Sequence, residues 1–191
     1  MKECSVKLET ELLQRLQQNY EEALASLMDM YYSDLYNYAA RFTKDDGLIK
    51  DCIQEVFISL WQRRETADTI LSPKYYFLRA IKNKVLKAVT RNNHKAASDN
   101  LPEEYDFFHE FSIEQIIIDK QVSEEKARKL RKVLSLLSKR QKEIIYLKYY
   151  QYLDHGQIAE LMNISRQSVY NLLHEAIHKL RSLWHTEFVA H

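Results

Sequence analysis

Glycine and proline are almost missing from this 191-residue chain, which holds only Gly47, Gly156, Pro73 and Pro102. A chain this poor in glycine lacks the phosphate-cradling loops of P-loop and dinucleotide-binding proteins, so nucleotide-dependent enzymes are disfavoured. Alternating β-branched runs are also scarce, while 46% of the residues are hydrophobic. An all-α chain is the simplest reading. Cys4 and Cys52 are the only cysteines and stand far apart, which indicates neither a disulfide framework nor a cysteine-based zinc site. No stretch approaches the roughly 20 apolar residues of a membrane span, and the N-terminus has no apolar core of a secretory signal. A cytoplasmic protein without membrane insertion is expected.

What the chain does have is charge, hidden behind a net value of +1. Residues 1 to 73 carry −5, residues 74 to 95 carry +7, residues 96 to 125 carry −8 and residues 126 to 191 carry +7. Two basic blocks therefore flank an acidic one. Separate basic blocks point to two contacts with a polyanion.

The helical period is clear in each block. Leu24, Leu27, Met28, Tyr31, Leu35, Tyr38 and Ala39 recur at three- and four-residue steps, and the turn Lys44-Asp45-Asp46-Gly47 is expected to end that helix. A second helix carries Ile53, Val56, Phe57, Leu60 and Trp61 on its apolar stripe, leaving Asp51, Gln54 and Glu55 on a polar face. After a loop of roughly ten residues from Arg64, Ser72 and Pro73 open a third helix, because proline at the first helical position loses no hydrogen bond. Its stripe is Phe77, Leu78, Ile81, Val85, Ala88 and Val89, so the first basic block forms the other face.

Residues 96 to 122 contain Pro102 and seven acids from Asp99 to Asp119, and read as a linker. Phe107, Phe108, Phe111 and Ile116 to Ile118 give it apolar points as well. Beyond it, Ser123 and Ser138 cap two further helices, the first with the stripe Leu130, Val133, Leu134 and Leu137. Asp154 with Gln157 three residues on reads as a capping box, and Ser165 caps the final helix after Asn163, a residue that tolerates a left-handed corner. Ile158, Ala159, Met162, Ile164, Val169 and Leu172 fall where a helix-turn-helix packs, with small Ala159 at the crossing.

In such a motif the second helix enters the major groove of DNA. It offers Ser165, Arg166, Gln167, Tyr170, Asn171, His174 and Glu175, with Lys179 further on for the backbone. Arginine can read guanine, and glutamine or asparagine can read adenine. A competing signal overlaps it: "HEAIH", His174 to His178, matches H-E-x-x-H, in which His174 and His178 would bind zinc and Glu175 act as base. No downstream Gly and His extend the match, so no metal, cofactor or catalytic role is expected. A helix-turn-helix regulator independent of polymerase is the nearer alternative.

Both halves together resemble a bacterial sigma factor of the extracytoplasmic-function (ECF) type. "LYNYAARFTKDDGLIKDCIQEVFISLW" resembles the region-2 segment that binds RNA polymerase core. "KYYFLRAIKNKVLKAVTR" resembles the segment that melts and reads the −10 promoter element. "LSLLSKRQKEIIYLKYYQYLDHGQIAELMNISRQSVYNLLHEAIHKLR" resembles region 4, which reads the −35 element. The resemblance spans about residues 20 to 185 and implies four parts: an N-terminal extension (1–19), region 2 (20–95), an acidic linker (96–122) and region 4 (123–191). It implies a non-catalytic subunit in which Asp51, Gln54 and Glu55 engage core polymerase. Tyr75, Tyr76, Asn83, Lys84, Lys87 and Arg91 would meet the −10 element, and the final helix the −35 element. The partners implied are core polymerase and promoter DNA, with an anti-sigma factor left open. Asn163 stands where the family commonly has glycine.

Overall fold

The computed structural model describes residues 2–92 and 124–188. All regular structure among the described residues is helical. The chain divides into two compact units, Met1–Tyr105 and Asp106–His191. The linker segment 96–122, its charge and its aromatic residues, and the Ser123 cap lie outside the described residues.

The N-terminal unit contains α1 (Lys2–Gln17), α2 (Glu21–Ala39), α3 (Asp46–Gln62), a 3-10 turn (Arg64–Thr69) and α4 (Pro73–Asn92). The helix α1 occupies residues that the sequence reading set aside as an extension. It is part of the core: Leu12, Leu13 and Leu16 are buried, packed against the 3-10 turn and α2. Its end is fastened by polar contacts. Gln17 donates to the Glu65 carbonyl at 3.0 Å, and Arg64 donates to the side chain of Asn19. Asn19 itself turns the chain in a left-handed conformation, φ 68°, which asparagine accepts more readily than most residues.

Helices α2, α3 and α4 pack on one another. Phe77 of α4 lies at the centre, 4.7 Å from the Tyr31 ring and 5.2 Å from that of Phe57. Burial and the nearby Glu9 carboxylate push the Tyr31 phenol far above its usual range, so it stays neutral. Two details differ from the sequence reading. The helix α2 ends at Ala39, and Gly47 belongs to the first turn of α3, where Asp45 is the cap accepting from the Leu48 amide at 3.0 Å.

The second unit contains α5 (Glu124–Ser135), α6 (Lys139–Ile145), a π turn (Tyr146–Tyr150), α7 (His155–Met162) and α8 (Arg166–Phe188). Ser138 and Gln141 form a full capping box at α6, and Asp154 and Gln157 form another at α7. Each box satisfies two amides that a helix start leaves unpaired. The π turn is an element that the apolar spacing did not indicate. It closes through the Gln151 amide bonding the Tyr146 carbonyl, and buried Gln151 also donates to the Tyr146 hydroxyl at 2.7 Å.

Asn163 makes the corner between α7 and α8 in the left-handed conformation, φ 51° and ψ 51°, as expected for this residue type. Ser165 then caps α8, accepting from the Ser168 amide at 3.0 Å. The crossing is closed by Ile158, Ala159, Met162 and Val169, all buried. Two positions shift: Ile164 and Leu172 are only half-buried, and Leu173 with Ala176 continues the packed stripe.

Candidate nucleic-acid interfaces

In the N-terminal unit, α3 turns its apolar stripe inward and leaves Asp51, Gln54 and Glu55 exposed. Beside them runs an apolar groove of about 490 Å³ between α2 and α3, lined among others by Leu24, Met28, Tyr32, Ile58 and Trp61. Trp61 was expected within the core stripe. It is half-buried at this groove because the guanidinium of Arg64 covers its ring at 4.6 Å. The groove is a feature of the pairing of two helices, and neither sequence segment announces it alone.

The basic face of α4 is narrower than its composition suggests. Lys82 is 3% exposed, with its ammonium over the Phe42 ring at 5.8 Å. It sits on the buried stripe one turn beyond Leu78, so it cannot form part of the solvent face. Lys74 pairs with Asp34 at 3.2 Å, and Lys84 pairs with Glu55 at 3.0 Å. The last pair joins two residues assigned to different partners. Arg79, Asn83, Lys87 and Arg91 remain exposed along one side of the helix.

The two tyrosines at the start of α4 differ. Tyr75 is half-buried and receives a hydrogen bond from Arg79 at 3.3 Å, with that guanidinium 6.0 Å from its ring. Tyr76 meets the Phe77 ring edge-on at 5.5 Å, and burial raises its phenol against the opposing pull of Arg63. Tyr75 is thus the better placed of the two to offer a ring face with a cation beside it.

In the second unit, the buried line Val169, Leu173, Ala176 fixes which side of α8 looks outward. By helical spacing, Gln167, Asn171, His174 and His178 form the centre of the exposed side, and all four are exposed. Gln167 donates to the Asn171 carbonyl oxygen at 3.1 Å, which leaves the Asn171 amide group to donate outward. The imidazoles of His174 and His178 stack with centroids 6.4 Å apart. His178 was weighed only as a zinc ligand, yet its place on the helix is in line with Gln167, Asn171 and His174.

Arg166 and Tyr170 flank this centre on the α7 side, and Glu175 and Lys179 on the other, all four exposed. The hydroxyl of Ser165 is engaged in capping and lies 2.8 Å from that of Ser168. Sequence spacing overlooked Lys142 of α6. Burial and the neighbouring Lys179 ammonium push its pKa down. Among the described residues, no group of three or more His, Cys, Asp or Glu is placed to hold a metal.

The comparisons with known proteins fall on the same two units. The family model for Sigma-70 region 2 matches residues 27–95, and that for Sigma-70, region 4 matches residues 127–180. The ECF RNA polymerase sigma factor SigK of Mycolicibacterium vanbaalenii is 22% identical over 170 residues, covering 89% of this chain and 86% of SigK. SigK of Mycobacterium ulcerans is 19% identical over 171 residues, 90% of either chain. Among solved structures, CnrH in complex with the cytosolic domain of CnrY aligns over 94% of this chain and 98% of its own, with a TM-score of 0.53 and 15% identity. No helix among the described residues is long and apolar enough to cross a membrane. The two matched regions, in this order and on these two helical units, make the chain a member of the ECF group of the sigma-70 family, a sigma factor acting in transcription initiation.

Proposed function

We propose that this sigma factor holds core RNA polymerase through α3 while α4 takes the −10 element and α8 the −35 element of a promoter. The observation that carries the reading is the geometry of α7 and α8. A capped helix, a left-handed asparagine corner and a second capped helix leave Gln167, Asn171, His174 and His178 facing outward together. That is the arrangement with which a recognition helix presents side chains to the major groove. Lys142 and Lys179 supply phosphate contacts at its border.

On α4, the exposed cations and Tyr75 offer a charged track with an aromatic face, which suits an unstacked strand. On α3, the acidic Asp51 and Glu55 with Gln54 suit a basic partner surface, and the adjoining apolar groove adds area that a partner helix can bury. An anti-sigma partner is proposed by likeness to CnrH, which was solved with the cytosolic domain of CnrY. No catalytic role enters this account, and a cytoplasmic site of action follows from partnership with polymerase.

Initiation in vitro with purified core enzyme on promoter DNA tests the whole. A chain that bound DNA but neither bound core nor supported initiation would instead be an independent helix-turn-helix regulator. Two substitutions separate the roles of the helices. Arg91→Ala is expected to weaken binding about equally on all promoter variants, and to reduce the salt dependence by about one counterion. Asn171→Ala is expected to alter the preference at one upstream position, by about 1–3 kcal/mol between the best and the worst base. A uniform effect of Asn171→Ala on every upstream variant would remove direct base reading from this residue.

A further inference from the structure

Gly156 is the second residue of α7, in an ordinary helical conformation, since no glycine has a positive φ. Nothing in its backbone requires glycine, and glycine is a poor helix former. What its missing side chain leaves room for is Arg166. A Cβ at position 156 would lie 3.0 Å from Nη2 and 3.5 Å from Cζ of Arg166, and 3.1 Å from Oδ1 of Asp154. The guanidinium of the first residue of α8 is therefore laid across the first turn of α7. Asp154 beside it is itself held by the capping box, with the Gln157 amide at 2.9 Å.

The next residue of the same turn holds a second side chain of α8. The His155 imidazole meets the ring of Tyr170 edge-on, with centroids 4.4 Å apart. Arg166 and Tyr170 are one turn apart on the flank of α8 that faces α7. Both are exposed, Tyr170 at 53%, and the contacts with α7 are what restrict their rotamers. An arginine has much rotamer freedom to lose on binding, so a side chain already laid in place binds at lower entropic cost and with a set direction.

We propose that the turn Asp154-His155-Gly156 is a positioning platform that sets the directions of Arg166 and Tyr170, and through them selects the bases read at one edge of the upstream element. The platform does not touch the bases; it acts through the two residues resting on it. The proposal rests on the reading of α8 as the recognition helix.

The test uses the full chain with core polymerase on a library randomised across the upstream element, alongside thermal unfolding of the free chain. Gly156→Ala should keep its unit folded, with an unfolding midpoint within about 8 °C of the parent, because alanine favours the helix and the exposed arginine can move aside, while the Asp154 oxygen 3.1 Å from the new Cβ is held by the capping box. The same variant should change the preference at the position read by Arg166 by about fivefold or more, as Arg166→Ala does, while leaving the position read by Asn171 alone. A variant that stays folded and changes selection only at the position read by Arg166 is not explained by a merely structural role. His155→Ala should shift preference at the position sensitive to Tyr170→Phe or Tyr170→Ala. The proposal is overturned if Gly156→Ala and His155→Ala leave base preference unchanged where Arg166→Ala alters it. If Arg166→Ala and Asn171→Ala both leave preference unchanged, the recognition-helix reading itself fails and the platform with it, an outcome told apart by the direct variants alone.

Discussion

Leu16→Ala is expected to destabilise the N-terminal unit by about 2–5 kcal/mol, the range for truncating a fully buried leucine. Leu16 is 0% exposed, although it lies outside the region matched to the family. Its helix packs on the 3-10 turn and α2, and the hydrogen bonds of Gln17 to Glu65 and of Arg64 to Asn19 tie the end of that helix in place. Urea unfolding followed by tryptophan fluorescence measures the effect. With one tryptophan in each unit, Trp61 and Trp184, a Trp184→Phe background reports on the N-terminal unit alone. Glu11→Ala, at an exposed position of the same helix, should stay within about 0.5 kcal/mol of the parent. Equal, small effects of both substitutions would mean that α1 is a dispensable appendage.

The second large effect concerns the ion pair between Glu55 and Lys84, 3.0 Å apart. Glu55→Lys puts two cations in contact and presents the wrong charge to a basic surface of polymerase, so initiation should fall about tenfold or more. Lys84→Glu should cost a comparable factor by repelling the DNA strand. The double exchange restores an ion pair of reversed sense. Because an exposed pair contributes little to folding, stability should return to within about 1 kcal/mol of the parent. Initiation should stay low, since each charge then faces the wrong partner. Recovery of initiation in the double variant would show that the two residues serve each other only, and the proposed role of α3 would lose Glu55.

The parts of the molecule that were legible in the sequence are those written in local signals. The caps at Ser138, Asp154 and Ser165 and the corner at Asn163 each involve residues within a few positions of one another. Their chemistry can be read along the chain, and the helix-turn-helix followed from it. The apolar stripes of α3 and α4 were legible for the same reason. What stayed hidden depends on partners far apart in sequence. Nothing near Lys82 says that it turns onto Phe42, and nothing near Lys84 names Glu55. The first basic block therefore read as a broader cationic face than the folded helix presents.

The polar start of the chain gave α1 away no better, because Leu12, Leu13 and Leu16 gain their meaning only from α2 and the turn at Arg64–Thr69. On α8, the sequence distinguished the outward residues by type but showed neither a centre nor an edge among them. The buried line of Val169, Leu173 and Ala176 supplies that distinction. It puts His178 in line with Gln167, Asn171 and His174 and sets Arg166 and Tyr170 apart as a flank resting on α7.

The scarcity of glycine ends in an inversion. Among the described residues, the three with left-handed backbones, Asn19, Tyr152 and Asn163, all carry side chains, whereas Gly47 and Gly156 both occupy the second position of a helix. A glycine at each corner would relieve local strain in the folded protein, but it would also widen the range of shapes open to the denatured chain. By keeping side chains at its corners, this protein limits the disorder it gains on unfolding, and part of its stability resides in a state that no view of the native fold displays.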